Sequence, residues 1–154
     1  MKLTVISVNK SRPSWAIDQF NDYSKRFNNS IELKWKHLEP SKNGKSSAKD
    51  QIKKNGKKIL SSIQKGSLVI SLDQRGTNWT TDHLKNEFEK WTSSTKEVSF
   101  LIGGQEGLSG ECLEASNNIW SLSNLTLPHL MVPVIVGEQI YRVWSMTQNH
   151  PYHR

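Results

Sequence analysis

The sequence predicts a single α/β domain built around a largely parallel β-sheet, on three observations. Short apolar runs typical of strands alternate with helical periodicities along the whole chain. The 154 residues match the length of one domain, 1–154, and no segment repeats at a fixed period. Apolar residues make up 34% and charged residues 23% of the chain, values that fit a globular domain better than a membrane protein or a disordered chain.

The first half of the chain begins with a strand, a helix and a second strand. The first strand is predicted at Lys2–Val8, and the helix at 13–27, because apolar residues recur there at spacings of four, three and four: Ala16, Phe20, Tyr23 and Phe27. Residues 31–37 alternate between apolar and polar types, which predicts a strand with one face in water.

A lysine-bearing helix is predicted next, after a loop at 40–46 that is rich in turn-forming residues. Ser47, followed three residues later by Asp50, resembles a capping box and predicts the start of this helix. One face of the helix carries lysines at a spacing of four, and the other carries isoleucines: Lys49, Lys53 and Lys57 against Ile52, Ile59 and Ile63.

The second half continues the same alternation. The predicted elements are, in chain order, a strand at 68–72, a helix at 80–91, a strand at 98–102, a short helix at 109–116, a strand at 119–122 and a final helix through 136–147. Pro133 is expected to place the start of the final helix at about that residue. Gly137 is expected to cost that helix about 1 kcal/mol relative to alanine.

The positive charge of the chain is concentrated in one segment. Residues 34–65 hold ten lysines and two acidic residues, whereas the rest of the chain is close to neutral. A basic stretch on a neutral body is typical of a protein that binds a polyanion such as RNA. The alternative is a solvated lysine-rich helix face with no partner.

Several classes of chemistry are excluded by missing motifs. The chain has no phosphate-binding Gly-x-x-x-x-Gly-Lys-[Ser/Thr] loop, no Gly-x-Gly-x-x-Gly turn and no Gly-x-Ser-x-Gly elbow. Its five histidines form no metal-binding pattern, so no metal is expected. Cys112 is the one cysteine and is predicted to be a small buried residue. Without a signal peptide or a membrane-spanning run, the protein is expected in the cytoplasm.

Two loops after consecutive buried strands are candidate ligand-binding segments. Gly103, Gly104 and Gly107 follow one strand, and the leucine-containing loop 122–127 follows the next. Ligands of open α/β sheets bind beyond the carboxyl ends of the strands, and apolar side chains with exposed amides suit a ring such as adenine. An ordinary tight turn is the alternative explanation for the glycines.

The C-terminal tail has an unusual composition. After Glu138 the chain has no acidic residue, while cationic and aromatic residues alternate: Arg142, Trp144, His150, Tyr152, His153 and Arg154. Cations contact phosphates and aromatic rings stack on unpaired bases, so this composition favours RNA binding. A frayed polar terminus is the alternative.

Four sequence blocks carry a family resemblance: Leu101-Ile102-Gly103-Gly104-x-Glu106-Gly107-Leu108-Ser109, Trp120-Ser121-Leu122-Ser123-x-Leu125-Thr126-Leu127-Pro128-His129, Glu138-x-x-Tyr141-Arg142 and Asn149-His150-Pro151-Tyr152-His153-Arg154. Together with the Met1-Lys2-Leu3 start, they resemble the RlmH (YbeA-like) branch of the SPOUT methyltransferases. The resemblance covers essentially the whole chain. The chain departs from the family at Pro133, where a basic residue is usual, and at Gly137, where alanine is common.

The resemblance implies an S-adenosylmethionine-dependent methyltransferase that modifies N3 of a pseudouridine in helix 69 of 23S rRNA. It also implies a homodimer acting on the ribosome, expected to be the assembled 70S particle, and a deep trefoil knot within about residues 98–154 that holds the cofactor. The cofactor contacts it implies are Leu72, Gly103, Gly104, Leu122, Ser123, Asn124, Leu125, Thr126 and Leu127.

The tail composition, taken with the resemblance, assigns the catalytic work to the C-terminus. The hypothesis makes His153 the proton acceptor, with Glu138 as the alternative. Arg142 and Arg154 would hold phosphate or imide charge, and Tyr152 would stack on or orient the base. The expected RNA contacts are Lys49, Lys53, Lys57, Arg142, His150, Tyr152 and Arg154. Two alternatives stay open: a knotted methyltransferase acting on transfer RNA, and a non-catalytic RNA-binding protein.

Overall fold

A computed structural model of the chain describes residues 1–42 and 44–154. It contains a five-stranded sheet in the order β2-β1-β4-β3-β5, and all four strand pairings are parallel. The elements are β1 Lys2–Val8, α1 Ser14–Ser24, β2 Glu32–Leu38, α2 Ala48–Ser62, β3 Leu68–Asn78, α3 Thr81–Ser94, β4 Glu97–Ile102, α4 Gly110–Glu114, β5 Asn118–Ser121, α5 Val132–Thr147 and a 3₁₀ turn, Pro151–His153. The predicted parallel α/β fold is confirmed.

Two helical layers cover the sheet. One apolar cluster joins α1, α3 and α5 to one face, with Phe20, Phe88 and Ile140 fully buried. A smaller cluster joins α2 and α4 to the other face around Ile59 and Cys112. Cys112 is fully buried as predicted, and burial raises the pKa of its thiol. No helix in the described part of the chain is both long and apolar enough to cross a membrane.

Helix starts follow the side chains that the sequence indicated. The Ser47 hydroxyl accepts a hydrogen bond from the Asp50 backbone N–H at 3.2 Å, and Ser109 accepts one from Cys112 at 3.2 Å. Thr80 caps α3 in the same way, through the backbone N–H of His83. The loop predicted at 40–46 contains residue 43, which lies outside the described residues.

Strand β3 is longer than the sequence predicted. The apolar run ends at Leu72, but the strand continues to Asn78, with a register shift in which both Leu72 and Thr77 pair with Trp120 of β5. The continuation is polar, so it lacks the apolar pattern from which a strand is predicted. Gly76 makes the close approach possible, because a Cβ there would lie 2.4 Å from the Ile119 carbonyl oxygen.

Helix α5 begins at Val132 with Pro133 in its first turn, as expected from the tolerance of helix starts for proline. Gly137 has a packing role that the sequence did not reveal. A Cβ at this position would lie 3.2 Å from Cδ2 of Phe20, so the glycine lets the Phe20 ring of α1 rest directly on α5. The helix propensity lost at Gly137 is therefore offset in part by close α1–α5 packing.

Candidate functional site

A pocket of about 180 Å³ opens at the carboxyl ends of β4 and β5 and beside residues 72–74 of β3, where its apolar run ends. Because all strands are parallel, their carboxyl ends meet at one edge of the sheet, where ligands of α/β folds bind. Of the nine residues expected to contact a cofactor, eight line this pocket: Leu72, Gly103, Gly104, Leu122, Ser123, Leu125, Thr126 and Leu127. Asn124 is exposed and does not line it. The two loops picked out from the sequence therefore converge on one cavity.

The glycine loop is a tight turn whose geometry requires glycine. The Gly107 N–H donates to the Gly104 carbonyl oxygen at 3.0 Å, and Gly107 has a φ of 88°. A Cβ on Gly103 would lie 2.3 Å from the carbonyl carbon of Gly107 and 2.6 Å from the Leu108 nitrogen. The glycines thus build the turn itself, and the turn forms one wall of the pocket.

The loop after β5 is braced by polar contacts. The Ser121 hydroxyl donates to the Ser123 carbonyl oxygen at 3.1 Å, and the Ser123 hydroxyl accepts from the Leu125 N–H at 2.9 Å. From β3, the Asn78 amide donates to Ser121 at its carbonyl oxygen, 3.1 Å, and at its hydroxyl, 3.2 Å. The side chain of Leu125 is left 77% exposed at the rim. The polar bracing holds a leucine-rich wall open to a ligand.

We expect Asn78→Ala to weaken S-adenosylmethionine binding by up to about 30-fold, because it removes two hydrogen bonds that anchor the loop after β5, worth roughly 1 kcal/mol each. Isothermal titration calorimetry measures the change. The matched control is Asn28→Ala, whose amide oxygen braces a turn before β2, away from the pocket. Equal affinity in the Asn78→Ala variant and in the unmodified protein would contradict the bracing role.

Sequence reasoning missed several pocket residues, among them Asp73, Trp120 and His129. Trp120 is 3% exposed and stacks on Trp79, with ring centroids 5.0 Å apart. Asp73 follows Leu72 directly, and its position was available from the rule that located Gly103, since both residues come directly after buried apolar runs that pair in parallel, with Leu72 opposite Ile102. The sequence signal that could have identified Asp73 as a pocket residue is an acidic side chain at the first position after an apolar run.

Asp73 is paired with Arg75 at the rim. The Arg75 Nε donates to Oδ1 and its Nη2 to Oδ2, both at 2.8 Å, and the Arg75 backbone N–H also donates to Oδ1 at 2.9 Å. These hydrogen bonds from Arg75 hold the pKa of the Asp73 carboxyl below its ordinary value. Asp73 therefore stays ionised and brings negative charge to a mostly apolar pocket.

A family model matches almost the whole chain. The model, described as a predicted SPOUT methyltransferase, matches residues 1–153. The chain belongs to the SPOUT methyltransferase family.

Two solved structures of methylase family proteins are similar in fold. The one from Neisseria gonorrhoeae has 14% identity and a TM-score of 0.52, covering 90% of this chain and 81% of its own. The one from Haemophilus influenzae has 13% identity and a TM-score of 0.52, covering 99% and 70%.

SPOUT methyltransferases use S-adenosylmethionine, and the pocket residues of this SPOUT methyltransferase fit that cofactor. Leucine side chains suit the flat adenine ring, and the main chain of the glycine turn offers hydrogen-bonding groups at close range. When bound, S-adenosylmethionine supplies an electrophilic methyl group.

The tail of this SPOUT methyltransferase does not line the pocket of the same chain. Val132 at the start of α5 lines the pocket, whereas Arg142 lies ten residues further along, about 15 Å at the rise of an α-helix. The tail follows the far end of α5, where Asn149 takes a φ of 53° and the His150 N–H donates to the Ser145 carbonyl oxygen at 2.9 Å. The predicted catalytic residues and the predicted cofactor residues therefore form two separate groups within one chain.

Tyr152 is held in a tyrosine cluster that consists of Tyr23, Tyr141, Tyr152 and Arg26. Its ring packs against Tyr141 at 4.7 Å between centroids, and its hydroxyl donates to Oε1 of Glu138 at 3.1 Å. Burial raises the pKa of the Tyr152 hydroxyl, helped by Tyr23 and Glu138. The tail is thus fixed to the body of the protein through Tyr152.

Glu138 and His153 differ in their capacity to accept a proton. The Glu138 carboxylate receives Arg142 Nη2 at 2.6 Å, Tyr152 and the Gln139 amide, so its oxygens are occupied by donors. His153 is exposed, and its Nδ1 lies 2.7 Å from the His150 carbonyl oxygen. Because a carbonyl only accepts, Nδ1 carries the proton in neutral His153 and leaves Nε2 as the acceptor. This geometry favours His153 over Glu138 as a base.

The three predicted RNA-contacting lysines are exposed on α2. Since α2 follows β2, its first turn with Lys49 lies nearest the carboxyl edge of the sheet. Lys57 lies eight residues further along, about 12 Å at the rise of a helix. The lysines therefore form a row that leads away from the edge of the sheet where the pocket opens.

Proposed function

We propose that this SPOUT methyltransferase methylates N3 of a pseudouridine in helix 69 of 23S rRNA. The observation that carries the proposal is the convergence of two separate motif loops, Gly103–Gly107 and 122–127, on one pocket. These loops belong to the blocks that resemble the RlmH branch, which acts on this target. The exposed lysine row on α2 supports a large polyanionic substrate, because lysines neutralise phosphates.

We further propose that the active site is composite, with the pocket of one subunit and the tail of its partner in a homodimer. No tail residue lines the pocket of its own chain, which supports this arrangement. Leu125, which lines the pocket, is 77% exposed, and Met131, which precedes the pocket-lining Val132, is 43% exposed. Large exposed apolar side chains are typical of contact surfaces, so a partner that covers them would also complete the site. The trefoil knot within about residues 98–154 is part of the same proposal.

In this proposal each tail residue has a separate task. His153 accepts the N3 proton at Nε2, since Nδ1 is committed to the His150 carbonyl. Arg154 is exposed and binds phosphate or imide charge. Arg142 is paired with Glu138, and its guanidinium packs on the face of the Tyr152 ring, with Cζ 5.3 Å from the ring centroid. Tyr152 thereby orients the two terminal residues and offers a ring edge to the base.

The test is incubation with radiolabelled S-adenosylmethionine and three substrates: assembled 70S particles, free large subunits and bulk transfer RNA. The proposal expects label in 23S rRNA from 70S particles, mapped by mass spectrometry to one pseudouridine in helix 69. Label in transfer RNA alone would assign the chain to a related knotted methyltransferase. Binding of RNA with no affinity for S-adenosylmethionine would indicate a non-catalytic RNA-binding protein and reject the proposal.

A further inference from the structure

An arginine that no motif assigned stands at the mouth of the pocket. Its side chain is 62% exposed, whereas the Asp73 side chain that binds it is 9% exposed and belongs to a pocket-lining residue. Two hydrogen bonds to the two carboxylate oxygens fix the plane of the Arg75 guanidinium. The guanidinium has five N–H donors, and within the described residues Asp73 is its one ion-pair partner. The remaining donors are available to a group that enters above the pocket.

We propose that Arg75 contacts the substrate base, donating hydrogen bonds to a carbonyl oxygen of the target uracil-type ring and stabilising the imide anion left when N3 loses its proton. This inference rests on the proposed function and adds a catalytic residue from the same subunit as the cofactor pocket. Asp73 acts as the positioning residue for Arg75. The N3 proton passes to the proton acceptor of the site, and the negative charge left on the substrate ring spreads onto the ring oxygens that flank N3.

The other arginines of the chain are placed differently. Arg12 lies over the Trp35 ring, Arg26 pairs with Asp22 of α1 from just beyond the end of that helix, and Arg142 pairs with Glu138 within α5. Arg154 belongs to the tail beyond the far end of α5. In the described part of the chain, Arg75 is the arginine that is hydrogen-bonded to a residue of the pocket. A fixed cation is therefore present at the mouth before any partner contributes its tail.

The exposure of Arg75 favours the RNA over the cofactor as its ligand. Asp73 lines the cavity, but Arg75 does not, so the guanidinium stands outside the space that the adenosyl group would fill. The strand extension past Leu72 accounts for this placement, because the register shift leaves Arg75 among the residues between Leu72 and Thr77 that do not pair with β5. A hydrogen-bond donor fixed where charge develops is effective because it needs no reorganisation when the substrate reacts.

The experiment compares Arg75→Gln, Arg75→Lys and the matched control Lys90→Gln. Lys90 also pairs an exposed cation with a shielded carboxylate, Glu87, but on α3 away from the pocket. Single-turnover methylation is measured with 70S particles and with unfractionated cellular RNA across pH, and S-adenosylmethionine affinity is measured by calorimetry. We expect Arg75→Gln to lose about 10²-fold in rate at saturating substrate and to move the rising limb of the pH profile up by about one unit.

Arg75→Lys should recover part of this rate, and Lys90→Gln should match the unmodified protein. Cofactor affinity should stay within about twofold in all three variants. At saturating cofactor, Asp73→Asn alone should lower the methylation rate. Added to Arg75→Gln it should lower the rate little further, because Asp73 acts through Arg75.

Four results would overturn the inference. An unchanged rate and pH profile in Arg75→Gln would remove Arg75 from the site, while methylation by the unmodified protein would leave the proposed function standing. A higher KM with an unshifted profile would make Arg75 a phosphate contact. Weaker binding of S-adenosylmethionine with unchanged binding of methylthioadenosine, which lacks the carboxylate, would make it a cofactor contact. Absence of methyl transfer by the unmodified protein to either RNA would reject the proposed function and this inference together.

Discussion

Replacing Gly103 with alanine is expected to weaken S-adenosylmethionine binding roughly 100-fold and to abolish methyl transfer at ordinary cofactor concentrations. The new Cβ would meet the backbone of Gly107 and Leu108 at 2.3 to 2.6 Å, where no side chain yields. The turn must open, and forcing backbone into such a strained arrangement costs about 2–3 kcal/mol, which corresponds to that loss of affinity. Calorimetry with S-adenosylmethionine measures the effect directly.

Gly110→Ala is the matched control for this change. Gly110 lies in the same segment and in the first turn of α4, but a Cβ there would meet nothing within 4 Å. This variant should bind S-adenosylmethionine as the unmodified protein does. Similar affinities for Gly103→Ala and Gly110→Ala would show that the glycine turn does not shape the cofactor pocket.

Removing His153 and Arg154 is expected to slow single-turnover methylation of 70S particles by about 10² to 10⁴-fold, the range for loss of a positioned acid or base. Cofactor affinity should be unchanged, because both residues are exposed beyond the far end of α5 and neither lines the pocket. The truncation keeps Tyr152, so the tyrosine cluster and the fold are preserved. Loss of cofactor binding together with activity would contradict the separation of tail and pocket.

The truncated protein also tests whether the site spans two subunits. Gly103→Ala keeps its tail, and the truncated chain keeps its pocket, so a mixed dimer of the two holds one complete composite site. Random mixing should restore about a quarter of the unmodified activity if the tail acts on the partner's pocket. A mixture as inactive as its components would mean that each chain completes its own site.

The order of strands and helices was predictable because this chain buries its sheet on both faces. Central strands such as β4 are then continuous apolar runs, and helices such as α3 show apolar residues at a spacing of three or four. The glycine and leucine loops were predictable for a related reason, since the carboxyl ends of parallel strands meet at one edge. These features depend on local sequence alone.

What the sequence did not reveal depends on contacts between distant segments. The continuation of β3 through Arg75 is polar and is held by Trp120 across the register shift. The Phe20 ring against Gly137 joins residues more than a hundred positions apart. Tyr152 was expected to stack on or orient the target nucleobase. Its hydrogen bond to Glu138 follows from the turn at Asn149, which the spacing of apolar residues does not predict.

The tyrosine cluster limits how far His153 and Arg154 reach. They stand one and two residues past Tyr152, and an extended chain spans at most about 3.6 Å per residue, so their backbone lies within about 7 Å of this anchor. A tether this short has no freedom to search for a distant cavity. In the composite arrangement, the contact surfaces of the two subunits must therefore fix their relative position to within a few ångströms. Small shifts of that contact would abolish catalysis without disturbing either fold.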